Sequence, residues 1–217
     1  PTFSFPFMET LWLGGALYPA SACLQWLRAV LRLPDGPADD PAWLEPLLPA
    51  AAALPPGTEG LIFLPFLFGL GPAGGETYAS LLGLRYAHKT EHLLRATFEG
   101  TACAMRSVAD YLESRGHAVR DWRATGGGMR IALWRQIIAA VLGRPIVLTN
   151  GDSSLGAAVI GAVAAGLYPD LTEAVAGMEA DYVARGAARV EGVLAHVHAD
   201  RVHDALYRLG GIRARTL

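Results

Sequence analysis

Apolar positions recur along this chain at two different periods, and the changes of period mark its elements. Residues 2–7 and 11–13 are short apolar runs divided by Met8-Glu9-Thr10, which predicts two strands. From 18 to 33 the period lengthens. Cys23, Leu24, Leu27, Val30 and Leu31 share one helical face, and Pro34-Asp35-Gly36-Pro37 stops the helix. A second helix is expected over 43–54, interrupted by Pro46 and Pro49. Residues 61–64 read as a buried strand ending at Pro65, which has no N–H for a ladder, and 81–84 as another short strand. The longest helix spans 90–114, with Thr90 as N-cap and Glu91 where the dipole favours an acid. Its buried face is Leu93, Leu94, Thr97, Phe98, Thr101, Ala104, Met105 and Val108. Helices over 154–166, 171–178 and 195–209 and a strand over 189–193 complete the chain.

The stretch 124–158 organises the rest. A strand end at 121–125 runs into Gly126-Gly127-Gly128, and a helix follows whose apolar face is Ile131, Trp134, Ile137, Ile138 and Val141. Gly143 ends that helix. Three glycines let a ligand lie against bare backbone, and N–H groups at a helix start suit a phosphate or a ribose. The same turn also serves as a plain strand-to-helix connection. In the helix 154–166, Gly156, Ala157, Gly161, Ala164 and Ala165 leave room for a second backbone. Asp152, in the Asn150-Gly151-Asp152 turn, is a candidate hydrogen-bonding group for a ligand.

Composition narrows the classes. A chain of 217 residues, 52% hydrophobic, suits one domain or one large half of a two-domain protein. A net charge of −2, with scattered arginines, gives no electrostatic ground for nucleic acid. Cys23 and Cys103 both lie in apolar helical stretches and read as buried thiols, which suits a reducing cytoplasm. The apolar runs 61–70 and 155–168 fall short of the ~20 residues a membrane helix needs. His88 and His92 lack the further ligands of a zinc site and read as solvated or capping side chains. Residues 69–74 spell G-x-G-x-x-G, but Pro72 removes an N–H and no helix starts at the third glycine, so a loop is expected. The chain opens at Pro1 inside a predicted strand, which reads as the start of a fragment.

Three segments resemble the C-terminal domain of the FGGY carbohydrate kinases, most closely the xylulokinase-like members. Residues 79–99 fill the family's second signature through Gly83-Leu84, His92-Leu93 and Ala96-Thr97-Phe98-Glu99. Residues 125–145 are similar to its adenosine-binding turn and helix, and 155–167, LGAAVIGAVAAGL, to its small-residue helix. The resemblance implies an α/β, ribonuclease-H-like or actin-like ATPase fold, a mixed sheet flanked by helices. Residues 1–217 would be the C-terminal nucleotide-binding domain of an ATP- and Mg²⁺-dependent, cytoplasmic sugar kinase acting on a ketose or polyol hydroxyl. Gly126, Gly127, Gly128 and Met129 would line the adenine and ribose of ATP or ADP, with Ala132 on the first helical turn and the helix 154–166 nearby.

The family's catalytic aspartate and phosphate loops belong to the other half. No catalytic residue or metal ligand is therefore expected here, and the isolated chain is expected to be inactive. A cleft wall bared in such a half would favour a homodimer. The departures are Met129-Arg130-Ile131 where the family often has Ala-Lys/Arg-Ser, Gly151 where many members carry Glu, and 69–72 without the charges of Gly-Glu-Arg. They leave a second reading: a non-catalytic nucleotide- or partner-binding module of the same fold.

Overall fold

The computed structural model describes residues 2–7, 10–15, 20–33, 41–69, 78–119, 121–148, 153–183 and 189–190. The turn 149–152, most of the 69–74 glycine loop and the helix expected over 195–209 lie outside the described residues. The first two strands form an antiparallel hairpin, β1 (Thr2–Phe7) and β2 (Thr10–Gly15), in register from Thr2↔Gly15 to Phe7↔Thr10. Helix α1 (Ala20–Val30) is shorter than expected, and Arg32 just beyond it takes a positive φ of 51°. Cys23, Leu24 and Leu27 are buried, whereas Val30 is 56% exposed and leaves the apolar face. Pro46 divides the next segment as expected, into a 3₁₀ turn (Pro41–Leu44) and α2 (Leu48–Ala53), whereas Pro49 does not interrupt it and lies in the first turn of α2, where its missing N–H costs nothing.

The long helix α3 (Thr90–Ser114) is the axis. Every residue from 94 to 104 is buried. The periodic face was therefore too narrow, because α4, α1, α2 and strand β3 pack around α3 on several sides. Strand β3 (Ile62–Leu64) pairs antiparallel with β4 (Ser80–Leu82). It crosses α3 at Gly100, where a Cβ would lie 2.1 Å from the Phe63 carbonyl oxygen. Only a residue without a side chain fits that crossing. An antiparallel partner after β3 is also the wrong context for a dinucleotide fingerprint, which opens a parallel βαβ unit. The N-cap of α3 is Lys89 rather than Thr90. The Lys89 N–H donates to Nδ1 of His92 at 3.1 Å, so the imidazole reaches back to the N-cap amide as the acidic or amide residue of a capping box does.

A mixed three-stranded sheet carries the central stretch. Strand β5 (Trp122–Ala124) runs parallel to β6 (Ile146–Leu148), and β7 (Arg189–Val190) pairs antiparallel with β6. Helix α4 (Ala132–Leu142) crosses from β5 to β6 and ends at Gly143, left-handed at φ 66°. Its Ile131, Trp134, Ile137 and Ile138 join Leu24, Leu27, Leu44, Leu94, Phe98 and Ile146 in the main core. Burying each of the larger of these side chains contributes about 1.5–3 kcal/mol. Helices α5 (Ser153–Ala164) and α6 (Leu171–Val183) pack on each other. Helix α6 runs past residue 178, starting where the Glu173 N–H donates to Asp170 Oδ1 at 2.9 Å. A Cβ at Gly156 or Gly161 would meet nothing within 4 Å, so the close approach expected on α5 is absent there. At Gly177, on α6, a side-chain ring rather than a backbone comes close, that of Tyr168. Among the described residues no helix is long and apolar enough to cross a membrane.

Candidate functional site

Two glycine-bearing turns stand out. The first joins β5 to α4. Gly126 has φ 100° and ψ 172°, a conformation almost confined to glycine. A 3₁₀ turn (Gly127–Arg130) follows, so α4 does not begin directly after the glycines, and buried Ile131 is its N-cap. The Met129 N–H donates to the Gly126 carbonyl at 3.0 Å, and the Ile131 N–H to that of Gly128 at 3.2 Å. The Gly127 and Gly128 amides precede the first of these bonds and are not used in closing the turn.

The three glycines differ in role. A Cβ at Gly126 would point into open space, with nothing inside 4 Å. A Cβ at Gly128 would fall 2.5 Å from Cζ3 of Trp134. One glycine thus leaves the peptide bare toward solvent, and the other lets the turn rest on the core. Gly127 and Ala132 are exposed; Met129 is half-buried, packs against the core, and its carbonyl accepts from Arg135 Nη1 at 2.7 Å. All five residues singled out in the sequence lie on this one short segment. Over Gly126 the exposed peptide carries no side chain and has open space in front of it, room that a flat or polar group could use.

The second turn precedes β3. Gly57, Thr58, Glu59 and Gly60 all have positive φ, at 92°, 45°, 52° and 93°. Non-glycine residues resist this region, so the run must be held from outside. The Glu99 carboxylate holds it, accepting from the Gly57 N–H at 3.0 Å and from Thr58 Oγ at 3.0 Å. Arg95 Nε donates to Glu99 at 2.8 Å, and Arg95 Nη1 to the Ala51 carbonyl at 2.9 Å. Both charged side chains are buried, so each neutralises the other where water cannot.

The Arg85 guanidinium donates to the Glu59 carbonyl. Gly83 packs so tightly on Gly60 that a Cβ would meet its carbonyl oxygen at 2.4 Å. His88 Nδ1 accepts from the Arg85 N–H at 3.0 Å, and its ring lies 5.2 Å from that of His92. Loss of hydration lowers the His88 pKa, as do Arg85 and His92, with Glu59 acting in the opposite direction. Both histidines cap backbone N–H groups, and among the described residues no three metal-ligating side chains gather. The signature 79–99 therefore builds a scaffold. Gly83, His92 and Glu99 were legible within it, but Arg95 and Gly57–Gly60 were not. The available signal was the i, i+4 spacing of Arg95 and Glu99 inside an apolar helix.

The two cysteines are buried and unpaired. Burial pushes the Cys23 thiol up to about 11, and it lies against the Pro65 carbonyl. Cys103 is pushed up to about 12, by burial first and then by Glu99. Neither is a nucleophile at neutral pH.

Residues 4–165 match the FGGY family of carbohydrate kinases, C-terminal domain, and the chain belongs to that family. It is 34% identical over 127 residues to an L-xylulose/3-keto-L-gulonate kinase of Escherichia coli, which covers 58% of this chain and 25% of that protein. Among solved structures, xylulose kinase from Rhodospirillum rubrum superposes with a TM-score of 0.63 at 29% identity, over 90% of this chain and 38% of that one. A Plasmodium falciparum glycerol kinase with ADP shares the fold at 20% identity and a TM-score of 0.63, over 89% of this chain and 37% of that one. The fold is the actin-like ATPase fold of these carbohydrate kinases. The chain spans less than half the length of each of these relatives.

Proposed function

We propose that this chain is the adenosine-binding part of an ATP-dependent carbohydrate kinase that phosphorylates a ketose or polyol hydroxyl. The observation that carries the reading is the turn at Gly126–Gly128. It stands at the end of a parallel strand, bare over Gly126, with two amides outside its own bonds. Membership of the family and the ADP named with the glycerol kinase of the same fold support it. In this reading Gly126 and Gly127 present peptide to the adenosine, Gly128 seats the turn, and Met129 and Ala132 border the base and ribose. ATP with Mg²⁺ supplies the phosphoryl group. Chemistry of this kind rests on positioned phosphates and a base for the hydroxyl proton. Those parts belong to the remainder of the kinase, so this chain by itself transfers no phosphate.

Calorimetric titration with Mg²⁺ and ADP tests the reading. Binding by the chain and its loss in Gly127→Val are expected. Binding that Gly127→Val leaves intact, or phosphorylation of xylulose, glycerol or gluconate by the isolated chain, would overturn it.

A further inference from the structure

A run of three glycines is expensive to order, because each loses more conformational freedom than any other residue. A ligand that had to order the turn itself would lose affinity by that amount, and a turn ordered in advance spares it. The structure contains the parts for such ordering, and none of them belongs to the glycines. Arg135 reaches back from the first turn of α4 and donates through Nη1 to the Met129 carbonyl at 2.7 Å. Its own N–H donates to the Ile131 carbonyl at 3.1 Å. The same short segment is thus gripped by the side chain and the backbone of one residue. Beneath it, the Trp134 ring fills the place a Gly128 side chain would take. That ring is itself fixed: Nε1 donates to Thr101 Oγ at 3.1 Å, and its face stacks on Phe98 with centroids 5.3 Å apart. Trp134 is 1% exposed, so it cannot swing away without opening the core.

From this geometry we infer that Arg135 is a positioning residue for the nucleotide, with Trp134 as its support. The guanidinium fixes the peptide after Met129, which closes the 3₁₀ turn and keeps the Gly127 and Gly128 amides out of it. The lock itself stands on the structure alone, and its service to a nucleotide rests on the reading given under Proposed function. A charge-assisted bond to one carbonyl needs only one donor, so Lys at position 135 retains part of the effect and Met none.

Hydrogen exchange of the full chain without ligand tests the lock. Arg135→Met is expected to raise exchange at the hydrogen-bonded Met129 and Ile131 amides roughly tenfold, with 137–142 unchanged as a control for folding. Arg135→Lys is expected to restore part of the protection. Unchanged exchange at Met129 and Ile131, or no restoration by Lys, overturns the lock. If Arg135→Met does not fold, Arg135→Gln, too short to reach the carbonyl, carries the same comparison. Titration with ADP then tests the consequence: Arg135→Met weakens binding roughly tenfold, the loss of one such bond. ADP affinity unchanged in Arg135→Met but abolished in Gly127→Val overturns the positioning role and leaves the nucleotide reading standing. Affinity unchanged in Gly127→Val removes the nucleotide reading and the positioning role with it.

Discussion

The turns at 57–60 and 126–128 both begin on a positive-φ glycine and end as opposites. The first continues positive φ through all four residues and packs against α3, whereas the second has it at Gly126 alone and leads into a 3₁₀ turn that packs against α4 and α1. At 57–60 two of the four left-handed residues carry side chains, and a buried carboxylate, an arginine and a facing glycine hold them. At 126–128 the residues are all glycine, and the outer one faces open space. Strain held by buried partners marks a scaffold. Bare backbone seated from beneath leaves room for something else to bind. The family signature at 79–99 builds the first kind of turn, and the glycine run is bare in the manner of the second.

The largest test of this contrast is at Glu99. Replacing it with Ala leaves buried Arg95 unpaired and releases the Gly57 N–H and the Thr58 hydroxyl. A loss of about 3–5 kcal/mol in urea unfolding is expected, as for other broken buried pairs. A loss below about 1 kcal/mol would mean that the 57–60 turn holds itself.

The next test compares two glycines of the open turn. Gly128→Ala drives a methyl into the Trp134 ring and Gly126→Ala forces an alanine into a glycine conformation, at about 1–3 kcal/mol each. Near-ultraviolet circular dichroism separates them. Gly128→Ala is expected to alter the Trp134 signal, and Gly126→Ala to leave it alone. Equal spectral changes would erase the distinction between a seated and an open glycine.

Thiol chemistry gives a smaller effect. At pH 8 neither Cys23 nor Cys103 is expected to react with an aromatic disulfide reagent in the folded chain, since both thiols titrate far above that pH. Denaturant should release both. Rapid reaction of Cys103 in the folded chain would show that the middle of α3 opens readily.

The smallest effect concerns His88. Its folded pKa lies below the ordinary 6.5, so the unfolded chain binds the proton more readily. Its contribution to stability is complete above that value and declines as pH falls below it. His88→Gln is expected to flatten the stability-versus-pH curve there. An unchanged slope would remove His88 from the account.

Local pattern carried much of this protein. Prolines placed the breaks at 46 and 65, because a ring nitrogen without a hydrogen cannot continue a helix interior or a ladder. The period of Ile131, Trp134, Ile137 and Ile138 announced α4, and Gly143 its end, since both signals arise within a few residues. The bounds of α3 were legible for the same reason. Its surroundings were not. Periodicity reports one buried face, whereas α3 is covered on several sides, and only the assembled fold explains buried Arg95 and Glu99. Likewise, three adjacent glycines look alike in sequence. Trp134, fixed through Thr101 and Phe98, makes Gly128 a packing residue, and empty space makes Gly126 an open one. The chain's own pattern determined where the turn falls. Which of its atoms face the core and which face outward was decided by what packs beneath it, because that depends on residues some thirty positions away in the sequence.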